Sequence, residues 1–100
     1  METRPVYGDG IRAETLLPFG SGWQQPTAAE VKTVVTKAGL SGDEVAALVG
    51  KKGGGRTVRR WWSESPTDFR PLDYAEWAIL CYEAGFGLIW QQAHRRKGWL

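Results

Sequence analysis

The stretch from Gly39 to Trp62 places the strongest constraint on how this chain can fold, because it predicts two short helices on either side of a glycine-rich turn. Ser41 and Glu44 have the spacing of a capping box, in which each side chain pairs with a backbone N–H that the first helical turn leaves unpaired. A helix should therefore begin just after Ser41. Gly50 should end it, since glycine adopts the left-handed conformation past a helix end without strain.

Apolar residues recur at helical spacing on both sides of this turn. The helix before the turn should bury three of them: Val45, Leu48 and Val49. The helix after the turn should bury another three, at positions i, i+3 and i+4: Val58, Trp61 and Trp62. Two short helices that meet across a glycine turn, the second with a basic outer face, form a helix-turn-helix.

The polar faces of the second helix predict contacts with double-stranded DNA. An arginine can make a bidentate contact with guanine in the major groove, and a threonine can reach a base edge or a phosphate. The residues expected to read bases are Arg56, Thr57, Arg59 and Arg60. Those expected to hold phosphates, without reading sequence, are Lys51, Lys52 and Arg70. The alternative is a solvated charged surface, which most basic runs are.

The same stretch resembles the Cro/CI-type (XRE-like) helix-turn-helix family. Members have an alanine, a glycine four residues later, then a Thr-Val pair followed by Arg-Trp. The corresponding residues here are Ala46, Gly50, Thr57 with Val58, and Arg60 with Trp61. The interval from Gly50 to Val58 is slightly longer than in the family. The resemblance implies a DNA-binding regulator whose second helix enters a groove.

The glycine turn also approaches the pattern of a nucleotide-binding phosphate loop, which we exclude. Gly50 and Gly55 have the spacing of that loop, but Arg56 stands where it requires lysine. A guanidinium fork does not replace a compact ammonium charge. The residues before Gly50 predict a capped helix rather than the strand that such a loop must follow.

Residues before the helix-turn-helix predict one further helix and an irregular arm. Thr27 and Glu30 form a second capping box, which predicts a helix from about Ala28 to Ala38. Residues 1–25 contain many helix-breaking glycines and prolines, so we expect an N-terminal arm that is free or bound to the domain. Arg4 and Arg12 in this arm either touch DNA or are solvated.

A further helix is expected from Leu72 to Ala84, after a polar connection, with Trp77 in the core and Cys81 used for packing. Residues 69–90 resemble the helix that follows the helix-turn-helix in small regulators of phages and conjugative elements, among them the anti-CRISPR-associated repressors. Together the two resemblances cover about residues 26–90. Membership would imply a dimeric autorepressor acting at a palindromic operator.

The C-terminal region is apolar and then basic. A compact apolar patch either contacts a second copy or packs back on the first helix: Phe86, Leu88, Ile89 and Trp90. We interpret residues 91–100 as a basic tail, with Arg95, Arg96 and Lys97 either solvated or near phosphate.

Length and composition limit the remaining possibilities. One hundred residues form one small domain, which we expect to be all-α, with four to five helices and a central helix-turn-helix. We expect the DNA-binding domain to cover residues 26–90, after an irregular N-terminal arm over residues 1–25. No apolar run approaches the roughly 20 residues needed to cross a bilayer, and METRPVYGDG lacks the apolar segment of a secretory signal. A cytoplasmic location follows as the expectation, with no membrane partner.

No residue pattern indicates an enzyme. The chain has one cysteine and one histidine, and we find no carboxylate pair, nucleophile-base set or metal cluster, so we expect no cofactor, metal or small-molecule substrate. The predicted function is a sequence-specific DNA-binding transcriptional regulator, most simply a repressor that acts as a homodimer. The alternative is a protein-interaction module, such as an antitoxin or a conjugation accessory factor, that uses the C-terminal apolar patch.

Overall fold

A computed structural model describes residues 10–91 of the chain. Four α-helices follow one another: α1 Ala28–Ala38, α2 Gly42–Val49, α3 Gly54–Arg59 and α4 Tyr74–Glu83. Three single-turn 3-10 helices accompany them: Ala13–Leu16, Arg60–Trp62 and Ile89–Gln91. No β-strand forms within the described range, and the predicted all-α fold class is confirmed. The predicted Arg4 contact and the basic tail from Arg95 to Lys97 lie outside the described residues.

Helix α1 begins and ends where the sequence predicts. The Thr27 hydroxyl accepts from the backbone N–H of Glu30 at 3.2 Å, and the backbone N–H of Thr27 donates to the Glu30 carboxylate at 2.8 Å. Gly39 closes the helix with φ 75°, the left-handed conformation that glycine adopts at little cost. Local capping alone therefore fixes both bounds of this helix.

A capping box and a left-handed glycine also bound helix α2. Ser41 and Glu44 form the predicted capping box, and Gly50 ends the helix with φ 79°. Val45 is fully buried and Val49 is half-buried, as expected from their spacing. The expectation that Leu48 is buried is wrong: 37% of its surface is exposed, because Gly42, Val45 and Ala46 form the buried side of α2.

The helix after the glycine turn is short and begins inside the glycine run, at Gly54. Its predicted apolar stripe is confirmed: Val58 is fully buried, Trp61 is almost so, and Trp62 packs against the core. The residues Arg60–Trp62 continue it as a 3-10 turn, which ends at the extended residue Ser63. The stretch from Arg56 to Trp62 is thus helical throughout, with its tryptophans turned inward.

Helix α4 starts two residues later than predicted, at Tyr74, because a third capping box sets its first turn. Asp73 accepts from the N–H of Glu76 at 2.8 Å, and the N–H of Asp73 donates to Glu76 at 2.9 Å. Trp77 and Cys81 are fully buried, and burial raises the pKa of the Cys81 thiol, which fits the packing role expected for it.

The segment before α1 packs into the core of the domain. Ile11 and Leu16 join the buried cluster of the helices. The carbonyl of Thr15 accepts two indole hydrogen bonds, from Trp77 at 2.7 Å and from Trp23 at 2.8 Å. The bond from Trp77 is buried and the bond from Trp23 is partly buried, so both satisfy polar groups that would be costly to leave unpaired inside the domain. The described part of the predicted arm is therefore bound rather than free.

No helix within residues 10–91 is long and apolar enough to cross a lipid bilayer.

Candidate nucleic-acid interface

The turn between α2 and α3 is built from backbone hydrogen bonds at glycines. The carbonyl of Ala46 accepts hydrogen bonds from two backbone N–H groups of the turn. The N–H of Lys51 donates to it at 2.8 Å, and the N–H of Gly50 donates to it as well. Gly54 then has φ 73°, a second left-handed residue that reverses the chain into α3. Two residues with positive φ so close together explain why this turn is rich in glycine.

The N-terminus of α3 is capped by a residue from α2. Asp43 accepts a hydrogen bond from the backbone N–H of Gly55 at 2.9 Å, whereas Gly53, at the cap position of α3, offers no side chain. A carboxylate also stabilises the positive end of a helix. Sequence reasoning missed this contact, because its partners lie 12 positions apart and no local capping pattern contains them.

Arg59 lies across the junction of the two helices, and two glycines leave the space for it. A Cβ atom on Gly42 would lie 2.9 Å from the Nε of Arg59. A Cβ atom on Gly55 would lie 2.5 Å from the Oδ1 of Asp43 and 2.9 Å from an Arg59 nitrogen. The Arg59 guanidinium therefore rests against the start of α2, at the edge of the α3 face that is exposed.

Three arginines of α3 and of the 3-10 turn that follows it lie at the surface: Arg56, Arg59 and Arg60. Val58 and Trp61 define the buried side, and residues four apart share one helical face, so Arg56 and Arg60 lie together on the opposite side. Arg56 is exposed and Arg60 is half-exposed. Thr57 lies to one side, with its hydroxyl directly beside Gly53.

The predicted base-reading residues are thus brought together on α3 and the 3-10 turn that follows it. Three have charged side chains at the surface, and Arg56 and Arg59 form no ion pair with any residue between 10 and 91. Arg60 is different, because its Nε lies 3.3 Å from the backbone oxygen and 3.6 Å from the Oδ1 of Asp68. Their role in reading bases stays a prediction.

The predicted phosphate-holding residues have three different surroundings. The Nζ of Lys51 is 2.9 Å from the Oε2 of Glu76, and this hydrogen bond raises the pKa of Lys51. Lys52 is exposed and has no ion-pair partner among the described residues. Arg70 is exposed beside Arg60, and its guanidinium donates to the backbone oxygen of Phe69 at 2.8 Å.

The C-terminal apolar patch is divided by burial. Ile89 is fully buried in the core of its own chain, so it offers no surface to a second copy, and its inclusion among the dimer contacts was wrong. The ring of Phe86 packs against the core, with the Nζ of Lys37 at 5.8 Å from the ring centre. Leu88 and Trp90 keep 36% and 45% of their surface exposed.

Arg12 lies in an ion pair that the sequence does not reveal. Its Nε and one terminal nitrogen each donate to the Glu30 carboxylate at 2.8 Å, a bidentate contact that ties the N-terminal segment to α1. Glu30 also belongs to the capping box of α1. The side chain of Arg12 remains 37% exposed, so it is both paired and partly solvated, and a contact with DNA stays a prediction.

Two curated proteins of Escherichia coli are similar to this chain over most of its length, and both are named transcriptional repressor protein KorC. One is 48% identical over 82 residues, which cover 81% of this chain and 91% of that protein. The other is 45% identical over 83 residues, covering 82% and 92%. No family model and no solved structure matches the chain. The resemblance to Cro/CI-type and anti-CRISPR-associated repressors therefore stays a prediction.

Proposed function

The chain belongs to the KorC family of transcriptional repressors, and we propose that it represses by binding a specific double-stranded DNA sequence through α3. The observation that carries the proposal is the position of Arg56 and Arg60. They lie four residues apart, on the side of the helix opposite the buried Val58 and Trp61. A short, rigid helix with an arginine-bearing outer face fits the major groove of B-DNA.

Each polar residue of the α3 region has a distinct role in this proposal. Arg56 and Arg60 read guanine through bidentate hydrogen bonds to O6 and N7. Arg59, which lies against the start of α2, and Thr57, which lies beside Gly53, sit at the edges of the face and adjust its register on the DNA.

The turn and the loop after α3 supply contacts with the DNA backbone. Lys52 is the best placed, because it is exposed and unpaired within residues 10–91. Lys51 reaches a phosphate only by leaving or sharing Glu76, so it contributes less than Lys52. Arg70 holds a phosphate at the end of α3. These contacts add affinity for any sequence and make binding depend on salt.

We further propose that two copies bind together on an inverted repeat. Leu88 and Trp90 support this part of the proposal, because both keep apolar surface exposed near the end of the described chain. Two copies related by a twofold axis would place their α3 helices in successive major grooves. The half-sites would then lie about 34 Å apart, or one turn of DNA.

Selection of bound sites from a pool of random duplex DNA tests both parts of the proposal. We expect enrichment of an inverted repeat that contains guanine in each half-site, with half-site centres about 10 base pairs apart. Enrichment of a single, unrepeated half-site would contradict the pairing of two copies and leave sequence-specific binding in place. A pool that shows no enrichment after repeated rounds would contradict the function itself.

A further inference from the structure

The loop between α3 and α4 holds Arg60 at both its backbone and its side chain. The carbonyl of Arg60 accepts from the backbone N–H of Arg70 at 3.1 Å and of Ser63 at 3.3 Å. The Nε of Arg60 donates to the backbone oxygen of Asp68 at 3.3 Å, and the Oδ1 of Asp68 lies 3.6 Å from the same nitrogen. Asp68 therefore approaches one edge of the guanidinium group of Arg60.

The edge that Asp68 occupies decides which donors of Arg60 are left for DNA. A guanidinium carries five N–H groups in a planar fork, one on Nε and two on each terminal nitrogen. With Nε engaged, the remaining donors are those of the two terminal nitrogens, and neither makes a hydrogen bond within residues 10–91. Two parallel donors on one edge are what a bidentate contact with guanine requires.

Apart from its contact with Arg60, the negative charge of Asp68 is unfavourable for DNA binding. A carboxylate beside the basic face of α3 repels the phosphates of any duplex that approaches. The ion pair is also a weak support for the fold, since the Arg60 and Asp68 side chains are 40% and 55% exposed and solvent screens such pairs. Arg56 and Arg59, on the same helix, have no carboxylate partner among the described residues.

We infer that the carboxylate of Asp68 is a positioning group for base recognition: from 3.6 Å it attracts the Nε of Arg60 toward the backbone oxygen of Asp68, which accepts its hydrogen bond, so that the two terminal nitrogens of Arg60 are presented together to one guanine. Asp68 does not touch DNA in this arrangement. It lowers affinity for every duplex through its charge, and it raises discrimination at one base by limiting the orientations of Arg60. The inference rests on the proposed function, because it requires Arg60 to read a base.

The test uses the full chain with Asp68→Asn, which removes the charge and keeps the size and the backbone oxygen. Dissociation constants are measured at one salt concentration for three kinds of duplex: the selected site, the same site with each guanine replaced in turn, and a scrambled sequence. We expect Asp68→Asn to bind the scrambled duplex roughly two- to fivefold more tightly, because a repulsive charge is gone. Its discrimination should fall about three- to tenfold at a single guanine per half-site, the one at which Arg60→Ala also loses discrimination.

Two further variants separate positioning from structure and from charge alone. Asp68→Glu keeps the carboxylate and should retain most of the discrimination. Glu64→Gln removes an exposed acid from the same loop and should leave discrimination unchanged at every guanine. Thermal unfolding of all variants should match the wild-type protein, since both acids are exposed.

The inference and the proposed function fail in distinguishable ways. Full discrimination by Asp68→Asn at the guanine where Arg60→Ala loses it would overturn the role of Asp68 and leave DNA recognition standing. If Arg60→Ala discriminates as well as the wild-type protein at every guanine, the positioning role of Asp68 is overturned as well. A wild-type protein that binds selected and scrambled duplexes equally would contradict the proposed function, and the inference with it.

Discussion

At the scale of single residues, carboxylates that are distant in sequence decide what the basic side chains can do. Arg12 is held by Glu30, Lys51 by Glu76 and Arg60 by Asp68, with partners separated by 18, 25 and 8 positions. None of these spacings is a local pattern, so the sequence predicted a surface of unpaired cations. Only the fold brings the acids close. Lys52, Arg56 and Arg59 are exposed and have no ion-pair partner within residues 10–91.

Glu30 is a buried carboxylate that depends on its charged partner. Burial by itself raises the pKa of its carboxyl, but the hydrogen bonds from Arg12 and from the backbone of Thr27 and Arg12 outweigh it, so the pKa of Glu30 is lowered. The side-chain hydrogen bond with Glu30 raises the pKa of Arg12. A lowered pKa in the folded state means that stability is gained above the unfolded pKa of about 4.5 and is lost as the pH falls through the folded value.

We predict that Glu30→Gln lowers the free energy of unfolding by about 2 kcal/mol at pH 7, because it removes charged hydrogen bonds to Arg12 and weakens the cap of α1. Urea denaturation at pH 7 and at pH 3 measures the effect. The difference from the wild-type protein should shrink at pH 3, because below the unfolded pKa of about 4.5 the unfolded state binds a proton that the folded carboxyl resists. Glu64→Gln, at an exposed acid, is the control and should change little at either pH. A difference that is as large at pH 3 as at pH 7 would rule out the charge as its cause.

At the scale of elements, capping residues made α1 and α2 predictable, because a capping box and a terminal glycine are local signals that the fold does not override. The third capping box, Asp73 with Glu76, has the same spacing, and it places the start of α4 at Tyr74 instead of the predicted Leu72. The start of α3 could not be predicted in this way. It depends on Asp43 from the preceding helix and on a glycine that permits close approach.

We predict that Gly55→Ala destabilises the protein by about 1–3 kcal/mol, because the new methyl group meets the Oδ1 of Asp43 at 2.5 Å and its backbone nitrogen at 3.0 Å. The displaced carboxylate would no longer cap α3, and this loss exceeds the gain of helix propensity from alanine. Thermal unfolding should show a melting temperature lower by several degrees.

Gly20→Ala is the matched control for Gly55→Ala, since no atom lies within 4 Å of a Cβ at Gly20 and its φ lies outside the left-handed region. Its melting temperature should be unchanged or slightly higher. Equal melting temperatures for Gly55→Ala and the wild-type protein would mean that the α2–α3 junction is looser than the described contacts indicate.

At the scale of the whole molecule, the distribution of surface chemistry matters more than the net charge of +2. Arginines gather on α3 and the turn before it, with Lys52, which has no ion-pair partner in the described part of the chain. Helix α4 carries no basic residue and exposes Ile79 and Tyr82. The sequence predicted the basic surface of α3 and the turn before it, because its basic residues lie close together in the chain. It could not predict which apolar residues stay exposed, since Ile89 and Leu88 are neighbours in the chain and only Ile89 is fully buried.

The central claim is that the outward face of α3 reads guanine. The most direct test measures the affinity of the wild-type protein and of Arg56→Ala for the selected duplex with guanine and with 7-deazaguanine. The modified base lacks only the N7 acceptor of a bidentate arginine contact. Placed at one guanine of each half-site of the selected duplex, it should weaken the wild-type protein roughly tenfold and Arg56→Ala hardly at all. Lys52→Ala should weaken binding to every duplex and still respond to the modified base as the wild-type protein does. A tenfold loss by Arg56→Ala and the wild-type protein alike, at every guanine tested, would contradict the claim.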